Sequence, residues 1–174
     1  MSVSDKIWRA VQGGIGISFG DALAYGFFAG VLWVVFYVLL RRAAWSRKIV
    51  PRFPTRKQLG WEVLYSLRST VVFGAVGLIV VYAGYSGWTR LYLQVDRYGW
   101  GWFVGSIVIA VVVHDAYFYW THRLMHHPRL FRVFHRTHHL SHNPSPWAAY
   151  CFSVSEAVVQ AGVGLLLAFV MPMH

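Results

Sequence analysis

Four apolar stretches constrain this chain more than any other feature, at about residues 22–40, 69–88, 102–120 and 157–172. Each is near the roughly 20 residues that a helix needs to cross the hydrocarbon core of a bilayer. The first ends sharply at Arg41 and Arg42, and the fourth is closed by Pro172. Composition points the same way. The chain is 57% hydrophobic and only 13% charged, against roughly 25% charged residues in a soluble domain, and its mean hydropathy is +0.46. That much apolar surface repays chain entropy, which excludes disorder. A net charge of +10 does not make a nucleic-acid module, because the bases lie between apolar stretches too long for a small soluble fold. With Cys151 as the sole cysteine, a disulfide scaffold and a cysteine-based zinc or iron–sulfur site are both excluded. Asp5, Lys6 and Arg9 precede a Gly-rich stretch with no small-residue cleavage site, so no cleavable signal peptide is expected.

Charge placement predicts the topology. Residues 41–68 carry eight basic side chains against one acid, Glu62, whereas residues 83–101 carry Arg90 and Arg97 offset by Asp96. The positive-inside rule puts the first segment in the cytoplasm and the second on the far side. The third span then returns residues 121–150, with Arg123, Arg129, Arg132 and Arg136, to the cytoplasm. Trp and Tyr near span ends, such as Tyr82, Trp88 and Trp102, suit interfacial anchoring. GxxxG spacings at Gly16/Gly20, Gly26/Gly30 and Gly101/Gly105 are candidates for close helix contacts.

Eight of the nine histidines fall in the 29 residues from His114 to His142. His122 and His126 are four apart and share one helix face. His114 lies eight residues earlier, a displacement of about 80° at helical pitch, so all three can look into one interior. His127 follows next to His126, and Pro128 ends or bends that helix. A second helix is predicted over about 129–142, with Leu130, Phe131, Val133, Phe134 and Leu140 packing. On it His135, His138 and His139 repeat at i, i+3, i+4, His142 continues the row, and Asn143-Pro144 stops it. Two helices thus present histidine-rich faces to a common space at the cytoplasmic end of the third span.

Imidazole binds Zn, Cu, Fe or Ni. At least five convergent imidazoles exceed what one tetrahedral zinc takes, which favours a two-metal site. Only Asp115 and Glu156 lie near the cluster, so it is not the carboxylate-rich arrangement of soluble di-iron bundles. No H-E-x-x-H motif is present, which argues against a zincin-type protease.

These motifs resemble a known family. The boxes His122-x-x-x-His126 and His135-x-x-His138-His139, behind His114-Asp115-x-x-Phe118-Tyr119-Trp120, are similar to those of the fatty acid hydroxylase/sterol desaturase superfamily. The run Asn143-Pro144-Ser145-Pro146-Trp147-Ala148-Ala149 looks most like the sterol C5-desaturase branch and its bacterial relatives. The resemblance covers about residues 100–174, so the chain divides into an N-terminal transmembrane region, 1–100, and a hydroxylase/desaturase-like domain, 101–174. It implies an all-α membrane protein of about four transmembrane helices under a histidine-rich helical cap on the cytoplasmic face.

The resemblance also implies an activity: a non-haem di-iron enzyme that uses O2 and two electrons to hydroxylate or desaturate a lipid of sterol or fatty acyl type. His122, His126, His135, His138 and His139 are then the expected ligands of two iron ions. His127 can replace His126, and His114, His127, His142 and Asp115 are further candidates to bind metal or orient its ligands, as is Tyr119. The implied partners are a lipid substrate, the membrane and an electron donor (cytochrome b5-like, ferredoxin or reductase), with no nucleic acid. The implied location is a bacterial inner membrane or the endoplasmic reticulum. Family members usually carry a third box, H-x2-H-H, which this chain lacks, so a C-terminally truncated fragment, inactive alone, or a protein with an incomplete site is expected. Residues Phe152-Ser153-Val154 also stand where many C5-desaturase-like sequences read Phe-His-Pro.

The rival readings are a bis-histidine haem electron-transfer protein and a metal-transporting or non-catalytic histidine-rich membrane protein. Haem needs only two axial ligands on facing helices. Transport favours acids and histidines spread through several spans at the midplane, whereas the first two spans hold no histidine and only Asp21 near an end.

Overall fold

The computed structural model describes residues 1–174, which form helices, turns and one isolated backbone bridge but no sheet. Helix α1 (Val3–Trp33) runs on into a π-helical segment, Val34–Leu39. It starts at a capping box in which the Ser2 hydroxyl accepts from the Asp5 amide and the Asp5 carboxylate from the Ser2 amide. The apolar stretch at 22–40 is therefore the second half of a 37-residue helix. Asp21, placed at a span end by hydropathy, lies near the middle of it.

A short helix, α2 (Arg41–Trp45), leads to α3 (Arg56–Tyr85), capped by the Thr55 hydroxyl. After a 3-10 turn, Val95–Arg97, the chain enters α4 (Gly99–Met125). Two short helices follow, α5 (Pro128–Phe134) and α6 (Arg136–His139), then a 3-10 turn at Pro146–Ala148 and the terminal helix α7 (Val154–Val170). The continuous α1 segment, α3 and α4 are each long and apolar enough to cross a membrane. The expected fourth span corresponds to α7, whose 17 residues extend about 25 Å at 1.5 Å per residue. Outward-facing Phe27, Phe28, Val111, Val112 and Trp120 are 61–64% exposed, as side chains that meet lipid tails rather than water would be.

The close helix contact does not use the GxxxG pairs. A Cβ built at Gly16, Gly20, Gly26, Gly101 or Gly105 meets nothing within 4 Å, and one at Gly30 only the rim of Trp147. Instead α1 crosses α3 at Gly14 and Gly74, where a Cβ on Gly14 would sit 2.7 Å from the Gly74 carbonyl oxygen. Small residues let the two backbones touch there. Helix α3 packs on α7 as well as on α1. On α4, the Tyr117 hydroxyl donates to Val159 O of α7 at 2.7 Å, where Gly162 leaves room for the ring. Val163 and Leu167 of α7, with Met171 just past its end, form a small apolar core with Trp102 and Val113 of α4.

The two basic segments meet at one end of the bundle. Lys48 donates to the Asn143 side chain, and Asn143 donates to Arg52 O at 3.0 Å. Glu62, fully buried near the start of α3, accepts from Ser141, Ser145 and Gln58. Gln58 also donates to Asn143 O at 2.7 Å. Ser66 and Tyr25 both donate to Trp147 O, and Arg68 donates to Phe152 O. The loop after the second histidine box is thereby fastened to α3 and α1 along its length.

Candidate metal centre

The first box lies on the last turns of α4. Helical pitch stacks His122 over His126, with ring centroids 4.9 Å apart and their Nε2 atoms separated by 3.3 Å. Two nitrogens each about 2.1 Å from one divalent ion would stand roughly 3–3.4 Å apart. Pro128 opens α5 at its first position, and the His127 ring caps that helix by accepting from the Arg129 amide at 3.4 Å. His127 is thus spent on the turn, while His126 faces the cluster.

The second box departs from the expected helix over 129–142. The chain breaks at His135 (φ −122°) and restarts as the short α6. The break has a non-local cause. Ser155 donates to Val133 O and Ser153 to Phe134 O, both at 2.7 Å, taking carbonyls that would otherwise bond Thr137 and His138 in a continuing helix. The same Ser153 caps α7 by accepting from the Glu156 amide. At the other side, α6 stops at His139 rather than at Asn143, because Ser141 and Asn143 are drawn to α3.

Breaking the helix swings His135 into the middle of the cluster, where its side chain is fully buried. Its ring lies 4.5 Å from His122, 4.6 Å from His126, 5.3 Å from His138 and 4.7 Å from His139, centroid to centroid. His126 and His139 stand 5.0 Å apart. His122, His126 and His135 bring one ring nitrogen each within 4.8 Å of one another. All five box histidines therefore pack into one cluster about His135, and three of them converge with their ring nitrogens.

The electrostatics oppose charging of the three second-box rings. Burial, reinforced by the four neighbouring imidazoles, pushes His135 down to about 3. Burial and the neighbouring rings also lower His138 and His139 below the ordinary histidine value. A neutral ring offers a lone pair, which is what a metal requires. Glu156 Oε1 lies 2.7 Å from His135 Nδ1. A neutral ring donating Nδ1–H there has its lone pair on Nε2, and that atom is buried with no partner in the protein. His138 Nδ1 is likewise buried and unpartnered. Buried polar atoms are normally satisfied, so these two nitrogens are free to accept a ligand.

The remaining candidates stand outside this cluster. His142 is exposed on the loop and does not continue the row, because α6 ends before it. His114 lies two turns before His122 on α4, stacked on Phe118 with centroids 6.5 Å apart, and Phe118 stacks in turn on His122. Asp115 makes no hydrogen bond to a box histidine; it lines an open concavity on α4 with Tyr119, Arg123, His122 and His126, and the Tyr119 hydroxyl accepts from Arg123 at 3.0 Å. The carboxylate that hydrogen-bonds a box histidine is Glu156, which was visible as an acid at the head of an apolar run but lies 21 residues from its partner.

Beneath the histidines lies a cavity of about 600 Å³ between α1, α3, α4 and α7. Phe118 and Phe152 line it; Phe118 stacks on His122 and Phe152 meets His138 at a tilt, so these two rings stand between the cavity and the cluster. Its lining is mainly apolar, as expected of a site for a lipid.

Residues 107–174 match the family model described as fatty acid hydroxylase. The chain is 30% identical over 151 residues to a Delta(7)-sterol 5(6)-desaturase of Gibberella zeae, covering 86% of this chain and 46% of that protein. It is 30% identical over 158 residues to a Delta(7)-sterol 5(6)-desaturase of Aspergillus fumigatus, covering 90% and 47%. It is also 25% identical over 126 residues to the lathosterol oxidase of Rattus norvegicus, covering 71% and 42%. The chain thus spans about half the length of the curated relatives it matches. No solved structure matches it. The family match falls on the stretch that builds the histidine cluster, and the likeness to sterol 5(6)-desaturases extends over most of the chain: it is similar to the fatty acid hydroxylase/sterol desaturase superfamily, and within it to the sterol C5(6)-desaturase branch.

Proposed function

We propose that this membrane oxidoreductase acts on a lipid, of sterol or fatty acyl type, with O2 and a non-haem di-iron centre held by His122, His126, His135, His138 and His139. The observation that carries this reading is the packing of four imidazoles around His135, whose buried Nε2 has no partner in the protein. The donor set suits iron in an oxidising site, because it contains no thiolate to be oxidised. Once bound, the iron would supply activation of O2 and removal of hydrogen from an unactivated C–H bond.

The protein's own residues do the rest. Glu156 fixes the His135 ring through Nδ1, so that Nε2 is the free nitrogen. The Glu62 network holds the loop behind the second box in register with α3. The cavity under Phe118 and Phe152 admits an apolar chain or ring system to the cluster while keeping water out. Residues 101–174 form the catalytic portion, and 1–100 contribute α1 and α3 as walls. By the positive-inside rule the histidine boxes face the cytoplasm of a bacterial cell or of the endoplasmic reticulum. There a cytochrome b5-like protein, a ferredoxin or a reductase would deliver electrons.

Confinement of the box histidines to one end of the bundle supports this reading over metal transport. The test is elemental analysis of the detergent-purified protein beside its His135→Ala and His139→Ala variants. Iron bound by the parent and lost from both variants supports the reading. Unchanged metal content in the variants overturns it, as does a Soret band from haem.

A further inference from the structure

The cavity under the cluster is not uniformly greasy. Asp21 lies midway along α1, at membrane depth, and borders this cavity without a hydrogen-bond partner in the protein. Ionisable groups at that depth are costly and are retained where they serve a ligand or a pathway. Across the cavity Gln160 of α7 also lines the wall, and its Nε2 is buried and unpartnered. Phe73 and Tyr150 stack edge to face beside them, with centroids 5.4 Å apart, and complete an apolar frame. One acceptor and one unused donor therefore line the same mainly apolar cavity, whose other polar groups are His114 and the Tyr150 hydroxyl.

We propose that Asp21 and Gln160 form a hydroxyl-recognition site that selects an uncharged lipid alcohol over a lipid ending in a carboxylate or phosphate. A hydroxyl is both donor and acceptor: it donates to the Asp21 carboxyl and accepts from Gln160 Nε2–H. An anionic head beside Asp21 would place two like charges together in a low-dielectric site or force the uptake of a proton, and either costs free energy. A hydrocarbon without a polar end leaves both groups unpaired, as they are in the free protein, and gains nothing from them. The proposal rests on the preceding reading that this cavity holds the lipid. It adds which end of the lipid points away from the metal, and which residues recognise it.

The test needs neither iron nor O2. Binding of the fluorescent C18 polyenes parinaric acid and its alcohol, parinarol, is followed at pH 8 by energy transfer from the protein's tryptophans, with the full chain in detergent. The parent should bind the alcohol about tenfold or more tightly than the acid, a single charge-assisted hydrogen bond's worth. Asp21→Asn, which keeps the size and an acceptor oxygen, should narrow that ratio by admitting the acid. Gln160→Leu should weaken the alcohol and leave the acid unchanged. Equal binding of alcohol and acid by the parent overturns the proposal, and so does a ratio that Asp21→Asn leaves unaltered. Because binding is read without turnover, preserved selectivity with no bound iron would sink the di-iron reading alone.

Discussion

Glu156 Oε1 lies 2.7 Å from His135 Nδ1, and both side chains are buried where α7 begins beside the broken second box. Removing the carboxylate should free the ring at the centre of the cluster. Glu156→Leu is expected to lower metal affinity by about 10–100-fold, in line with losses of groups that orient a metal-bound histidine. Glu156→Gln retains an acceptor oxygen and should lose less. Iron retained per chain after dialysis against a graded chelator series measures both.

The two histidines that the sequence made candidates and the fold set aside provide a contrast. His142→Ala should leave iron content unchanged. His127→Ala should also retain iron, while removing the cap of α5 at a cost of about 0.5–2 kcal/mol. Loss of iron from the His142 variant would mean that the loop closes over the cluster.

Cys151 is fully buried, and burial pushes its thiol up to about 12. The thiolate is the reactive form, so N-ethylmaleimide at pH 8 should leave the native protein unlabelled and modify the one cysteine only after unfolding. Mass spectrometry before and after denaturation reads this directly.

Acid should destabilise the metal-free protein. In the unfolded chain a histidine takes up its proton near 6.5, whereas buried His135 resists it until about 3. Between those values the unfolded state holds more protons, so its stability contribution is complete above about pH 6.5 and is lost as pH falls below that. The lowered His138 and His139 act in the same direction. Thermal unfolding in detergent should give a Tm that drops from pH 7.5 to pH 5, and bound metal should lessen the drop.

Glu62 joins the first half of the chain to the loop behind the second box. Glu62→Leu strands the buried hydroxyls of Ser141 and Ser145, where each unsatisfied group costs about 1–3 kcal/mol. Proteolysis or hydrogen exchange should report the loop around residues 141–147 loosening before the bundle melts.

Much of this protein follows from the chain alone, because the signals are local. Helix length needed only runs of apolar residues, since a backbone without water must bond to itself. The first box is a matter of helical pitch, and Pro128 marks its end by its missing amide and fixed φ. The clustering of histidines in two boxes was legible in the same way. What tertiary structure decided is non-local. Hydropathy cut α1 short because a Gly-rich stretch lowers the average, yet Gly14 lies in the chain where α3 comes closest, and Asp21 became a mid-helix residue. The second box is broken because Ser153 and Ser155, some twenty residues on, take two of its carbonyls. Glu156 rather than Asp115 orients an imidazole, since a hydrogen bond depends on where two helices meet and not on distance along the sequence.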